Sequence, residues 1–199
     1  MHMRAPGRKL GVLAVAVVLV EGISDQLALE ALAARRRLDL DAAGVAIVPM
    51  GGSKNIKSFL DRFGPQGLNL RLAGLCDAAE EGDFQRALER AGLGSNLTRS
   101  DMERLGFYVC VADLEDELIR SLGPAAVERV IDAKGELAPF RSFQNQPAWR
   151  ERAREAQLRR FFGTHGGRKI ESAALLVNAL DLDRVPRPLD LVLAHVTSV

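Results

Sequence analysis

Apolar residues in this chain follow two periods, and the switches between them outline a fold. Residues 11–20 (Gly-Val-Leu-Ala-Val-Ala-Val-Val-Leu-Val) are valine-rich without alternation, as in a strand covered on both faces. Runs of the same kind stand at 45–49, 70–76 and 107–112. Between them the apolar spacing lengthens to three and four residues. Ser24 can cap a helix over 24–37, with Leu27, Leu29, Ala31, Leu32 and Ala34 ahead of Arg35-Arg36-Arg37. Ile56, Phe59, Leu60 and Phe63 share one face of a helix over 54–63. Further helices are expected over 83–91 and from about Leu114. This alternation predicts an α/β fold, a mostly parallel central sheet flanked by helices. Past Gly123 strands give way to a helical extension. It holds a helix over 124–133, a loop through Pro139 and Pro147, an arginine-rich helix over 148–162, a break at 163–167 and a helix over 169–180. Residues 189–194 read equally well as a strand or a helical turn. The expected division is a lead of residues 1–9, disordered or a cloning remnant, a core of 10–123 and an extension of 124–199.

A chain of 199 residues suits one sizeable domain. Arg4, Arg8 and Lys9 before an apolar stretch imitate a secretory signal. No small-x-small cleavage site follows, and about eleven apolar residues cannot span a bilayer. Cys76 and Cys110 lie inside apolar runs without metal-ligand spacing, as free thiols of a reducing cytoplasm do. The net charge of +1 conceals a division: residues 76–117 carry −7 and residues 141–169 carry +6. An acidic centre beside a basic arm suits a metal site that receives a polyanion, though solvated helix faces would show the same counts.

Three apolar runs end on acids. Val20 leads into Glu21, with Asp25 one helical turn on. Cys76 leads into Asp77, and residues 107–112 lead into Asp113-Leu114-Glu115-Asp116-Glu117. Parallel strands gather their carboxyl ends along one edge, so these acids would converge there and call for a hard divalent cation. A helix-dipole role accounts for Asp25 alone but not for Glu21. Walker A, dinucleotide-binding, HExxH and CxxC motifs are absent. Gly51-Gly52-Ser53-Lys54-Asn55 could cradle an anion at a helix start, but it lacks the P-loop spacing, and an ordinary strand-to-helix turn accounts for it better.

The strings Val18-Val-Leu-Val-Glu-Gly-Ile-Ser-Asp25, Gly52-Ser-Lys-Asn55 and Leu75-Cys-Asp77 resemble a TOPRIM domain. They most resemble the catalytic C-terminal region of the OLD (overcoming lysogenization defect) nucleases. Asp113-Leu-Glu115-Asp116 and Gly167-Arg-Lys169-Ile-Glu-Ser-Ala173 extend the resemblance over most of residues 12–180. It implies a Rossmann-like TOPRIM core and an endonuclease hydrolysing DNA phosphodiester bonds with two Mg²⁺ or Mn²⁺ ions. Glu21, Asp25 and Asp77 would serve one ion; Asp113 and Glu115, with Glu117 as a further ligand, would serve the other. Lys169 matches a basic residue beside the scissile phosphate, so the catalytic set is Glu21, Asp25, Asp77 and Lys169. Ala79 departs from the second aspartate of the family's DxD element, which leaves Glu80, Glu81 or Asp83 as a replacement, or the Asp113 group. The resemblance also implies an ABC-type ATPase, as a domain or as a protein in trans, and allows a homodimer.

Arginines interleave with aromatics between Phe140 and Phe162, and Arg159, Arg160 and Arg168 are the expected contacts to DNA phosphates. An amphipathic helix packed by Trp149, Leu158 and Phe161 is the plainer account. His2, His165 and His195 are not expected to bind metal, though His165 could touch phosphate. Two other functions fit the acids. One is a non-catalytic TOPRIM-like module that binds nucleic acid or a partner. The other is a receiver-like phospho-acceptor domain, disfavoured because Ile23 and Ser24 separate Glu21 from Asp25.

Overall fold

The computed structural model describes residues 14–164 and 166–198. The lead, the first residues of the 11–20 run and His165 lie outside them. Four strands, β1 (Ala16–Val20), β2 (Val45–Pro49), β3 (Arg71–Cys76) and β4 (Phe107–Val109), form a parallel sheet in the order β2-β1-β3-β4. Helices α1 (Ile23–Arg35), α2 (Ile56–Phe63), α3 (Glu81–Arg90), α4 (Arg99–Arg104) and α5 (Leu114–Leu122) connect and follow the strands. After them come α6 (Pro124–Ala133), α7 (Leu137–Gln144), α8 (Arg154–Phe162), α9 (Gly166–Ala179) and α10 (Arg187–Thr197).

The unalternating valines of β1 divide between two cores, because successive side chains of a strand face opposite sides. Ala16, Val18 and Val20 pack with α1 and with α5 to α10, through residues such as Leu29, Leu118, Phe140 and Leu176. Val17 and Leu19 pack with α2, α3 and α4, through Leu60, Phe84 and Met102. The helices past Gly123 therefore share their core with the sheet. Gly74 permits β3 to pass Phe107: a Cβ there would meet its ring at 2.5 Å and the Leu19 carbonyl oxygen at 3.1 Å. Among the described residues no helix is long and apolar enough to cross a membrane.

Four expectations change. The stretch around Pro139 is helix α7, not a loop; its proline is the third residue, where the N–H has no partner within the helix. The arginine-rich helix starts only at Arg154, after a turn closed by Trp149 N–H on the Gln146 carbonyl (2.9 Å). Residues 189–194 belong to α10, whose buried Leu189, Val192, Leu193 and Val196 keep helical spacing. The unexpected α4 starts with a capping box, Thr98 accepting from the Asp101 N–H while Asp101 accepts from the Thr98 N–H.

Candidate metal centre

From β1 the chain runs to one side of the sheet, and from β2 it crosses back to the other. The crevice outside the carboxyl ends of β1 and β3 is thus a topological switch point, where α/β sheets bind ligands. Glu21 follows β1 and Asp77 follows β3. The Glu21 carbonyl receives the N–H groups of Gly51 (3.0 Å) and Gly52 (3.1 Å). Both glycines hold positive φ (72° and 126°), so the Gly-rich segment works as a turn that clamps the strand end, not as an anion cradle. Beyond Asp77 the chain makes a 3₁₀ turn over Ala78–Glu80, closed by Glu80 N–H on the Asp77 carbonyl (3.0 Å). Residues three apart eclipse in such a turn. Glu80 therefore joins Asp77, while Ala79 is exposed. One carboxylate oxygen from each of Glu21, Asp77 and Glu80 lies within 4.8 Å of the others. The signal for Glu80 was its spacing from Asp77, which only the turn type could decode.

None of these three acids forms an ion pair among the described residues. Burial, then Asp25, Asp113 and Glu21, push the Asp77 carboxyl up to about 7 against the pull of Lys169. Burial, then Glu21, raises Glu80, whose buried Oε2 has no hydrogen-bond partner. Asp25 stands behind the group in the first turn of α1, its Oδ2 accepting the Gly22 N–H at 2.8 Å; burial raises its carboxyl above the ordinary range. Three converging carboxylates with an orphaned oxygen are the donor set of a hard cation such as Mg²⁺ or Mn²⁺.

The acids after β4 are held differently. Asp113 caps α5, with Oδ1 accepting the Asp116 N–H (2.8 Å) and Oδ2 accepting Arg159 through Nε (2.7 Å) and Nη2 (2.5 Å). Glu115 is 6% exposed, and its Oε2 lies 3.1 Å from Lys169 Nζ while Oε1 has no partner. Burial works against the Lys169 charge, but Glu115, Asp25 and Asp77 outweigh it and hold its pKa above the usual lysine value. Glu117 uses Oε1 to accept the Val111 N–H (2.7 Å) and Oε2 to pair with Arg120 (2.8 Å), so both oxygens serve the β4–α5 turn.

Of the expected phosphate contacts, Arg168 is committed elsewhere. Its Nε donates to Glu136 (2.6 Å), its Nη1 donates to Thr164 Oγ1 (2.5 Å), and its guanidinium lies 4.1 Å over the Phe161 ring. It ties α9 to α8. Arg160 is exposed, and with Arg159 it lines an open groove of about 390 Å³ running from Asp113, Glu115 and Lys169 to Trp149. His195 packs against Gly106, away from these acids, and His2 and His165 lie outside the described residues.

Residues 12–78 match the family model described as the TOPRIM domain of overcoming lysogenization defect (OLD) protein-like sequences. The C-terminal region of the Xanthomonas campestris pv. campestris OLD protein superposes with a TM-score of 0.74, at 22% identity and 95% coverage of each chain. The fold is that of an OLD C-terminal region. That of the Burkholderia pseudomallei OLD protein gives 0.72, at 20% identity, over 92% of this chain and 97% of the other. No curated protein matches the sequence. The OLD-like TOPRIM match includes Glu21, Asp25 and Asp77 and stops short of Glu80, Asp113, Glu115 and Lys169. The OLD-like fold, by contrast, covers 95% of the chain.

Proposed function

We propose that this chain is a metal-dependent endonuclease domain that hydrolyses DNA phosphodiester bonds. The observation that carries the reading is the convergence of Glu21, Asp77 and Glu80 at the switch point, with no ion pair among the described residues and with the Lys169 charge acting on Asp77. These three acids would hold the first ion, with Asp25 supporting them. A bound Mg²⁺ supplies a Lewis acid for the phosphoryl oxygens and lowers the pKa of water. Asp113 and Glu115 are the donors for a second ion; Asp113 would have to release Arg159, whereas Glu115 can offer its unpartnered Oε1 and keep Lys169 on Oε2. The place of Lys169 in the lining of the groove, where it pairs with Glu115, supports a role in offsetting negative charge on the scissile phosphate. Arg160, exposed on the same groove, suits backbone contacts that carry affinity and no sequence preference.

The test is incubation of supercoiled plasmid with the purified chain under Mg²⁺, Mn²⁺ or EDTA. Nicked or linear product with metal, absent in EDTA and absent for Glu21→Ala, is the expected result. Plasmid that is bound but uncut with either metal supports the non-catalytic binding module instead. The Arg159–Asp113 pair favours that second reading, because it already neutralises one of the second ion's ligands.

A further inference from the structure

The groove lined by Asp113, Glu115 and Lys169 is also lined by the single tryptophan of the chain. Trp149 stacks on Phe143, with ring centroids 5.3 Å apart and planes at 28°. Its carbonyl accepts Gln157 Nε2 at 2.7 Å, and the buried Gln157 accepts Gln144 Nε2 at 2.6 Å. α7 and α8 thus set the indole in place, yet it is only half-buried and forms part of the groove wall. Arg160 beside it is exposed and has no partner among the described residues. Packing alone would be served by any apolar side chain on Phe143. It does not call for an indole on the same open wall as two arginines and Lys169.

We propose that this groove is a subsite for one unpaired nucleotide of a DNA strand, its base against Trp149 and its phosphate on Arg160. The proposal rests on the phosphodiesterase reading, since the groove opens directly onto Asp113, Glu115 and Lys169. The volume of about 390 Å³ falls in the usual range of small-molecule sites. A base inside a duplex already has both faces stacked, so only an unstacked one can offer a face to an indole. The chain should therefore prefer single-stranded or frayed DNA over continuous duplex.

Trp149 is its own reporter. Its emission is followed while the full chain in EDTA is titrated with a thymidine octanucleotide or a blunt hairpin duplex, with anisotropy of labelled oligonucleotide read in parallel. Saturable quenching by the octanucleotide is expected, with the hairpin binding about tenfold more weakly or worse. Trp149→Leu should weaken octanucleotide binding about fivefold to a hundredfold, and Trp149→Tyr should restore it to within a few-fold. Arg160→Ala should weaken it too and lower the salt slope by about one. Should Trp149→Leu not fold, wild-type emission and the Tyr and Arg160 variants still decide the matter. Binding without any change in emission, or equal binding of hairpin and octanucleotide, overturns the subsite; plasmid cleavage persisting under those results leaves the nuclease reading standing. Quenching with no cleavage under any metal would do the opposite, sparing the subsite and removing the nuclease.

Discussion

Two groups of acids meet at the carboxyl edge of the sheet, and they differ in what neutralises them. Glu21, Asp77 and Glu80 come from strand ends and a single 3₁₀ turn, and no cation of the described residues pairs with them. Asp113 and Glu115 open α5 and receive Arg159 from α8 and Lys169 from α9. Burial and then the neighbouring carboxylates disfavour ionisation there, and Asp77 is pushed up to about 7. The second group is balanced within the chain. The number of acids in a cluster therefore says less about its chemistry than which cations can reach it.

Removing one acid from each group should have the largest effects. Asp77→Ala or Glu80→Ala should lower plasmid cleavage by roughly a thousandfold, the upper range for loss of one electrostatic partner of the reaction. Asp113→Ala should cost about tenfold less. The two groups should also differ in metal-dependent stability. At an ion concentration of about 100 Kd, binding adds ~2.7 kcal/mol, a rise of roughly 5–10 °C in Tm for a chain of this size. Glu80→Ala should lose that rise and Asp113→Ala should keep most of it, as read by thermal denaturation with and without Mg²⁺. Equal losses in both variants would merge the groups into one site.

The next largest effect belongs to Lys169. Lys169→Ala should lower the cleavage rate about a hundredfold with little change in DNA affinity, because a charge aimed at the scissile phosphate acts mainly in the transition state. It also strands Glu115 in the interior without its partner, which destabilises the fold. Lys169→Ala combined with Glu115→Gln should recover stability and leave the rate low. Recovery of both would assign the pair a purely structural role.

The strand ends were legible in the sequence because a strand buried on both faces is an unbroken apolar run, and its first polar residue marks the edge. Glu21 and Asp77 follow directly from that. α4 escaped because it is short and buries only Met102, leaving the Thr98 and Asp101 capping box as its sign. α10 was ambiguous because the stretch ending at Ala194 stops short of Val196, the residue that completes the helical spacing. Pairing was the least legible property. Arg159 and Asp113 stand 46 residues apart, and no spacing rule connects them. The same holds for Arg168, whose composition suggested phosphate and whose position gives it Glu136 and the Phe161 ring.

A smaller effect should follow from opening the Arg159–Asp113 pair. Arg159→Ala leaves Asp113 Oδ2 without its cation, and the second position should then compete better for metal. Calorimetric titration with Mn²⁺ should give about one ion for the wild type without DNA and approach two for the variant, with second-site affinity raised about tenfold. Two ions on the wild type would mean that Arg159 gives way unaided.

The smallest effect reads the cost of ionising Asp77 in its buried, acid-rich position. Its carboxyl titrates near 7 in the folded metal-free chain and near 3.8 when unfolded. The folded state therefore holds a proton that the unfolded state has lost, and stability falls as pH rises from about 4 through 7. Asp77→Asn mimics the protonated form and escapes that loss. In EDTA its advantage over the wild type should be slight near pH 4 and reach on the order of 1–2 kcal/mol by pH 8, after allowance for solvent screening. Saturating Mg²⁺ at pH 8 should reverse the order, because the ionised carboxylate gains a ligand role that an amide fills poorly. Below pH 7 the wild type's metal affinity should drop about tenfold per unit, as a proton competes for the same oxygen. Melting curves of both proteins from pH 4 to 8, with EDTA and with Mg²⁺, test all three statements. A difference that ignores both pH and metal would place Asp77 outside any cation site.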